Sequence, residues 1–493
     1  MPTVPLDQHE TWPDREDQNE DRQLSYEAEG NPSVELPEAL SDDLSGYWQQ
    51  EIQWGDCAPD RCGTILVPLD WENPGAAAVS IAFRQVGDPE SPLGPLFVNP
   101  GGPGFGGQDL AQSLAGEWEG YNVVGWDPRG TGDSTTVECG TTEETDEVFG
   151  LDGSPDSSAE EEALREGFAE FAQDCRDASG ALLDHLTTVE NVRDLDLLRF
   201  LFGADELNFV GISYGTYVGA MYAELFPDKV GRLVLDAAVD ITNQDESVSQ
   251  SEGFELALRN YAEWCAGEST CQLGDSADAI IDRISDFLSG LDAQPLPGDG
   301  ERELTQSLAT TGIALFLYFD EAVYPSVTDA LDEAFGGDGA SLLWAADELN
   351  GRTMPGGYET GAFAFPATRC VDWVDEGVEG AYRSWEESKP KAKIFAVNNG
   401  LDLACQLWTA DSGPLLKLTG KGAAPILVVG TTGDSATPYE HAVSMADQLE
   451  SGHLLTFDGA GHGAVTSGNE CVSDTVSSYL IGGTLPEEEL TCS

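Results

Sequence analysis

The chain has 493 residues, of which 90 are acidic and 22 basic, for a formal net charge of −68. That charge repels phosphate-rich partners and argues against nucleic acid; it fits a highly soluble surface, or one adapted to high salt where self-repulsion is screened. Hydrophobic residues make up 40%, enough for a sizeable core, and no run of apolar residues is long enough for a membrane span.

Residues 1–38 are polar and acidic with little periodicity and read as a flexible tail. Their start carries no basic and apolar leader, so no signal peptide is expected in this chain. Residues 39–240 read as the first part of a sheet domain. A short helical pattern over Leu40–Trp54 leads in. Cys62–Trp71 and Val79–Val86 alternate as two antiparallel strands around the turn at Asn73-Pro74-Gly75. Pro95–Asn99 is a compact apolar strand running into Pro100-Gly101-Gly102-Pro103-Gly104. Tyr121–Trp126 is the next strand and ends at Asp127-Pro128-Arg129, expected as a charge pair bracing nearby loops. A helix is expected near 158–178, then an amphipathic helix over Thr188–Phe202 with Val189, Val192, Leu195, Leu198 and Phe202 on one side. An apolar run from Leu207 ends at Gly211-Ile212-Ser213-Tyr214-Gly215, and a helical stretch carries on from Tyr217 to Leu225. Arg232–Ala237 is another buried strand. Strands and helices alternating at this spacing predict a mostly parallel, doubly wound sheet.

After Asp240 that rhythm breaks. Phe254–Cys265, Ala277–Leu291, Thr310–Leu317 and Ala322–Phe335 are helical, with turn-rich pieces at 293–303 and 350–360. Residues 241–415 therefore read as a helical cap inserted into the sheet domain. Residues 416–493 resume it, with a strand at Pro425–Gly430, a helix from Pro438, a strand at His453–Phe457 and a closing helix at Glu470–Leu480. The ten cysteines fall in successive pairs, and neighbour pairing joins Cys57–Cys62, Cys139–Cys175, Cys265–Cys271, Cys370–Cys405 and Cys471–Cys492. Five such bonds would imply an oxidising, extracellular compartment. No C-x-x-C occurs and the histidines are scattered, so no metal site is expected, and no cofactor motif is present.

A strand that turns into a helix through Gly-x-Ser-x-Gly is a nucleophile elbow. The turn is tight and leaves no room for a Cβ at either glycine, so Ser213 is held above the sheet edge at the positive end of a helix. A serine hydroxyl needs a base to take its proton, and a carboxylate to orient that base. His9 lies in the tail, His185 precedes the serine, His441 sits in a helix and His453 begins the last strand. His462 alone lies in the loop past that strand, between Gly461 and Gly463. Asp434 closes the resumed strand and is the expected acid, with Asp458 as its rival. The oxyanion hole needs two backbone N–H donors, expected at Tyr214 and at Gly102 in the glycine loop after the early strand.

Taken together, several segments resemble the secreted tripeptidyl-aminopeptidase group of α/β-hydrolases, relatives of the prolyl aminopeptidases. They are Gln53-Trp54 with Cys57 and Cys62, Val67 to Asp70, Asn99 to Gly104, Gly125 to Ser134, Thr187-Thr188 with Asp194 and Asp196, Gly211 to Thr216, Asp434 with Thr437-Pro438, Gly461 to Gly463, and Cys370 to Asp372 late in the cap. The likeness covers about residues 45–493. It implies an α/β-hydrolase fold and a serine exopeptidase releasing tripeptides, other short peptides or single residues from free N-termini. Hydrolysis of small acyl esters by the same three residues is the alternative. An aminopeptidase needs carboxylates for the substrate ammonium. Asp240, Asp372 and Asp375 are the candidates, each with the plain alternative of a solvated surface carboxylate. The expected partner is thus a peptide or small ester; the sequence sets no oligomeric state.

Overall fold

The structure is a computed structural model that describes residues 5–11, 32–242, 248–300, 302–373, 377–486 and 490–493. The chain enters through helix α1 (Ser45–Gln49) and the strands β1 (Gln53–Cys57), β2 (Asp60–Pro68) and β3 (Ala78–Val86), paired antiparallel in that order. Then come β4 (Gly94–Asn99), α2 (Gln108–Ser113), β5 (Tyr121–Trp126), α3 (Thr142–Phe149), α4 (Ser158–Ser179), α5 (Thr188–Leu201), β6 (Leu207–Ile212), α6 (Tyr214–Leu225) and β7 (Val230–Asp236). Next, α7 (Gln250–Gly267) and α8 (Ala277–Ala293) precede the small hairpin of β8 (Leu296–Pro297) and β9 (Glu303–Leu304). Six helices follow: α9 (Gln306–Leu317), α10 (Tyr324–Phe335), α11 (Ala340–Asn350), α12 (Gly361–Asp372), α13 (Gly377–Ser388) and α14 (Phe395–Asn399). The chain then returns through β10 (Ile426–Gly433), α15 (Tyr439–Gln448), β11 (Gly452–Ala460), α16 (Glu470–Gly482) and β12 (Thr491–Cys492).

Among the described residues the main sheet has ten strands in the order β1-β2-β3-β5-β4-β6-β7-β10-β11-β12. It is antiparallel from β1 to β5 and parallel from β5 to β12. The central strands are buried on both faces, so their side chains sort by alternation into two apolar layers. Phe97, Phe209, Leu233, Leu235 and Val428 pack on the side of α6, whereas Leu96, Val98, Val210, Val234, Leu427 and Leu455 pack on the side of α16. Helices α7 to α11 and α14 bury a core of their own, built from residues such as Leu258, Tyr261, Ile284, Ile313 and Leu331, whereas α12 joins the main core through Ala367, Cys370 and Val371. The carboxyl ends of β4, β6, β7, β10 and β11 share one edge, where open α/β sheets place functional groups.

Several elements differ from the sequence reading for physical reasons. Gln53–Cys57 is a strand and not the end of a helix. It is an exposed edge strand with no apolar alternation to betray it, closed onto β2 by Cys57–Cys62. Helix α5 is buried all round from Thr188 to Arg199 and is not amphipathic in its setting. Its polar residues are neutralised inside the protein, as in the Asp196–Arg199 pair at 2.8 Å. Asp127 and Arg129 do not pair with each other. Arg129 forks onto Asp194 of α5 at 2.7 and 2.8 Å, while Asp127 accepts from Gln108 and from the Asp133 amide. Burial works against the Arg129 charge, and the Asp194 and Glu190 carboxylates override it, so the guanidinium pKa is raised.

Helices α11 to α14, α2 and α3 were not anticipated. Within the stretch read as a tail, Leu6, Val34 and Leu36 pack against the main core, and Val34 N donates to Ala178 O at 3.0 Å. Residues 1–4 and 12–31 lie outside the described residues. The ten cysteines form the five neighbour pairs. No described helix is long and apolar enough to cross a membrane.

Candidate active site

The elbow begins where β6 ends. Ser213 adopts φ 57° and ψ −127°, a left-handed conformation that a serine rarely takes and that the surrounding chain must hold. Both flanking glycines are required by contact. A Cβ on Gly211 would lie 2.2 Å from Gly215 O, and one on Gly215 would lie 2.7 Å from Asn99 O. Helix α6 starts at Tyr214, so the serine sits at its positive end, where first-turn amides have no carbonyl within the helix to bind.

The glycine loop after β4 lies directly on this elbow. A Cβ on Gly101 would come within 2.9 Å of both Ser213 Cβ and Tyr214 N. Gly102 follows Gly101 in the chain at φ +102°. The two proposed amide donors, Gly102 and Tyr214, therefore come from neighbouring segments.

His462 lies in the loop after β11, and its amide donates to Tyr318 O at 2.8 Å. The Tyr318 ring meets the imidazole edge to face, with centroids 5.4 Å apart. His462 Nδ1 is 2.8 Å from Asp434 Oδ1 and 3.3 Å from Thr437 Oγ1. Asp434 is 1% exposed, and its Oδ1 also accepts from the Ala436 and Thr437 amides at 3.0 and 2.9 Å. With Nδ1 turned to the carboxylate, Nε2 is the nitrogen left to exchange protons. Burial pushes the His462 pKa down, but the Asp434 carboxylate, helped by Asp236, carries it above its usual value.

Among the described residues no hydrogen bond joins Ser213 Oγ to His462; such bonds are often long before substrate is bound. The two loops are instead tied through Asp236, at the end of β7. Ser213 N donates to Asp236 O at 2.9 Å, and the Asp236 side chain accepts from the amides of Ala464 and Val465, each at 2.9 Å. Burial raises the Asp236 pKa to about 6, against the pull of these amides. Sequence reading missed this residue. Its one signal was an aspartate directly after the apolar run Leu233-Val234-Leu235 at the end of a strand.

The other expected residues fall as follows. Asp458, the rival acid, is exposed on β11 and accepts from Thr432 Oγ1 at 3.0 Å, while His462 Nδ1 is paired with Asp434. Asp240 is partly buried and accepts from the Thr242 amide at 2.7 Å in a local turn. Asp372 is buried and not solvated, and its carboxylate is engaged by Thr188 and Tyr214. Asp375 lies outside the described residues. His441 Nε2 is 2.8 Å from Val248 O, and His185 Nδ1 is 2.9 Å from Glu190 Oε1. His185, Glu190 and Asp70 bring their ligand atoms within 4.8 Å of one another, but Arg129 Nη1 stands 3.7 Å from Glu190 and disfavours a cation there. Large apolar side chains are left exposed beside the site: Phe105 after the glycine loop, Phe365 on α12 and Phe319 next to Tyr318.

A strained serine between strand and helix, with a carboxylate-bound histidine at the same sheet edge, belongs to the serine hydrolases of the α/β-hydrolase fold. The family described as TAP-like protein matches residues 367–492, a span that holds Asp434 and His462. A tripeptidyl aminopeptidase of Streptomyces lividans is 30% identical over 475 residues, covering 90% of this chain and 86% of its own. The serine protease Hip1 of Mycobacterium tuberculosis is 33% identical over 487 residues, covering 90% of this chain and 91% of its own. Carboxylesterase B of the same organism is 35% identical over 452 residues, covering 88% of this chain and 86% of its own. The chain belongs to the tripeptidyl-aminopeptidase family.

Proposed function

We propose that this serine hydrolase is an extracellular exopeptidase that releases tripeptides or other short N-terminal pieces from peptides with a free amine. Ser213 is the nucleophile, His462 the base and Asp434 its orienting acid. The observation that carries the reading is the His462 Nδ1–Asp434 Oδ1 contact at 2.8 Å, on a loop that Asp236 ties to the strained Ser213 elbow. His462 Nε2 takes the Ser213 proton as the oxygen attacks the scissile carbonyl. The charge on the tetrahedral oxygen is met by the Gly102 and Tyr214 amides. His462 then gives the proton to the leaving amine, and the acyl-enzyme is hydrolysed by water that the same imidazole activates.

The peptide substrate is supported by the relatives named tripeptidyl aminopeptidase and serine protease, and the compartment by five disulfides. A second reading, an esterase for small acyl esters, is favoured by the relative named carboxylesterase B. Three substrates separate the two: a free-amine tripeptide nitroanilide, its N-blocked twin and a short-chain nitrophenyl ester. Cleavage of the free anilide with release of intact tripeptide, and no turnover of its blocked twin, is the expected result. Turnover of the ester alone would replace the peptidase by the esterase.

A further inference from the structure

Helix α12 lies outside the motifs assigned to the reaction, yet it touches both segments proposed to hold the oxyanion. Its first half packs on the glycine loop. A Cβ on Gly104 would lie 2.7 Å from Phe365 N, and one on Gly361 would lie 3.0 Å from the Phe105 ring. Its last residue reaches the other donor. Asp372 Oδ1 accepts from Thr188 N at 2.7 Å, and Oδ2 accepts from Thr188 Oγ1 at 2.5 Å and from Tyr214 OH at 3.4 Å. Thr188 Oγ1 and Tyr214 OH are also in contact, so the single Tyr214 proton is shared between Thr188 Oγ1 and Asp372 Oδ2. All three residues are buried, at 7%, 0% and 3% exposure. Beside them Trp373 stacks on Tyr217 of α6 at 5.2 Å, and the Cys370–Cys405 bond anchors the helix end.

We propose that α12 braces the oxyanion hole and that Asp372 is a positioning residue, holding the Tyr214 side chain so that the Tyr214 amide points at the developing charge. The inference rests on the roles given above to Ser213, Gly102 and Tyr214. Tyr214 is the first residue of α6, so fixing the tip of its ring fixes the first turn that carries the donor. The carboxylate in turn is held by the first amide of α5, at that helix's positive end. Burial lifts the Asp372 pKa to about 7, against the Thr188 and Tyr214 hydrogen bonds and with Glu190 adding to the rise. The positioning role differs from the ammonium-binding role that the sequence suggested for Asp372, because its carboxylate is taken up by Thr188 and Tyr214.

The test uses Asp372→Ala, Asp372→Asn and Tyr214→Phe in the full chain, each assayed on the free-amine tripeptide nitroanilide and on a small nitrophenyl ester. An oxyanion brace acts on the tetrahedral state of both substrates. Asp372→Ala and Tyr214→Phe should therefore lower kcat about 10- to 100-fold on each, with KM within about twofold; that is less than the loss of a whole donor. Asp372→Asn keeps an acceptor for the Thr188 amide and should recover most of the rate. A rise in KM confined to the amine-bearing substrate would make Asp372 a substrate ligand and overturn the brace. So would unchanged kcat in Tyr214→Phe, which decides the matter if the Asp372→Ala chain fails to fold. Labelling by a fluorophosphonate probe separates the two levels. A wild-type chain that stays unlabelled at Ser213 sinks the underlying reading and the brace with it; one that labels fully while the variants keep wild-type rates sinks the brace alone.

Discussion

The sheet edge and the helical insertion contribute to the site in opposite ways. The edge supplies the proposed reacting atoms from short, contiguous pieces of chain: Ser213 after β6, Asp434 after β10 and His462 after β11. The insertion supplies none of them but touches each supporting loop. Tyr318 O receives the His462 amide, Phe365 and Gly361 meet the glycine loop, and Asp372 holds the Tyr214 ring. The difference separates chemistry from alignment. A nucleophile elbow is a short backbone turn that two glycines make room for and that the neighbouring strands hold in place. Alignment is a long-range matter, settled by contacts such as Thr188 with Asp372 across 184 residues.

Variants at the edge should abolish rate without disturbing the fold, and those in the insertion should shift rate or selectivity by less. Ser213→Ala is expected to cost the most, a kcat loss of about 10⁴ to 10⁶. Its circular dichroism and Tm should stay close to wild type; a variant that kept full turnover would end the comparison. Asp434→Asn should lower kcat about 10⁴-fold by disturbing the tautomer and orientation of His462.

The pH profile carries the same information. His462 must be neutral to accept the serine proton, and Asp434 raises its pKa above the ordinary 6.5 against the effect of burial. Activity should therefore fall as pH drops through a midpoint above 6.5, and Asp434→Asn should move that midpoint down. The stability sign is the reverse. The raised His462 pKa contributes stability that is full below pH 6.5 and fades as pH rises through the folded value. A kcat/KM limb that does not move in Asp434→Asn would break the assignment.

Asp236→Asn belongs to the edge but carries no proposed reacting atom. By loosening the tie between the elbow and the His462 loop it should cost about 10- to 100-fold in kcat, read by steady-state kinetics. The smallest effect is expected on the insertion side of the cleft. Phe365→Ala should raise KM for peptides about two- to tenfold and leave kcat on a small ester near wild type. A large kcat loss on the ester would mean that Phe365 aligns the oxyanion loop and is not a binding surface.

The sequence offered neighbour pairing of the ten cysteines, whose connectivity the structure decided, and His462 as the proposed base. The winding of the sheet, the break into helices after Asp240 and the elbow it set out by itself. Each of these is written in neighbouring residues or in chain order, so no knowledge of distant contacts was needed. Only the tertiary structure decided that α5 is buried on every side, that Arg129 pairs with Asp194 and not Asp127, that Asp236 ties serine and histidine loops together, and that Asp372 turns inward to Tyr214. A buried charge is stable only beside its partner, and when that partner lies 65 or 184 residues away no local pattern records it.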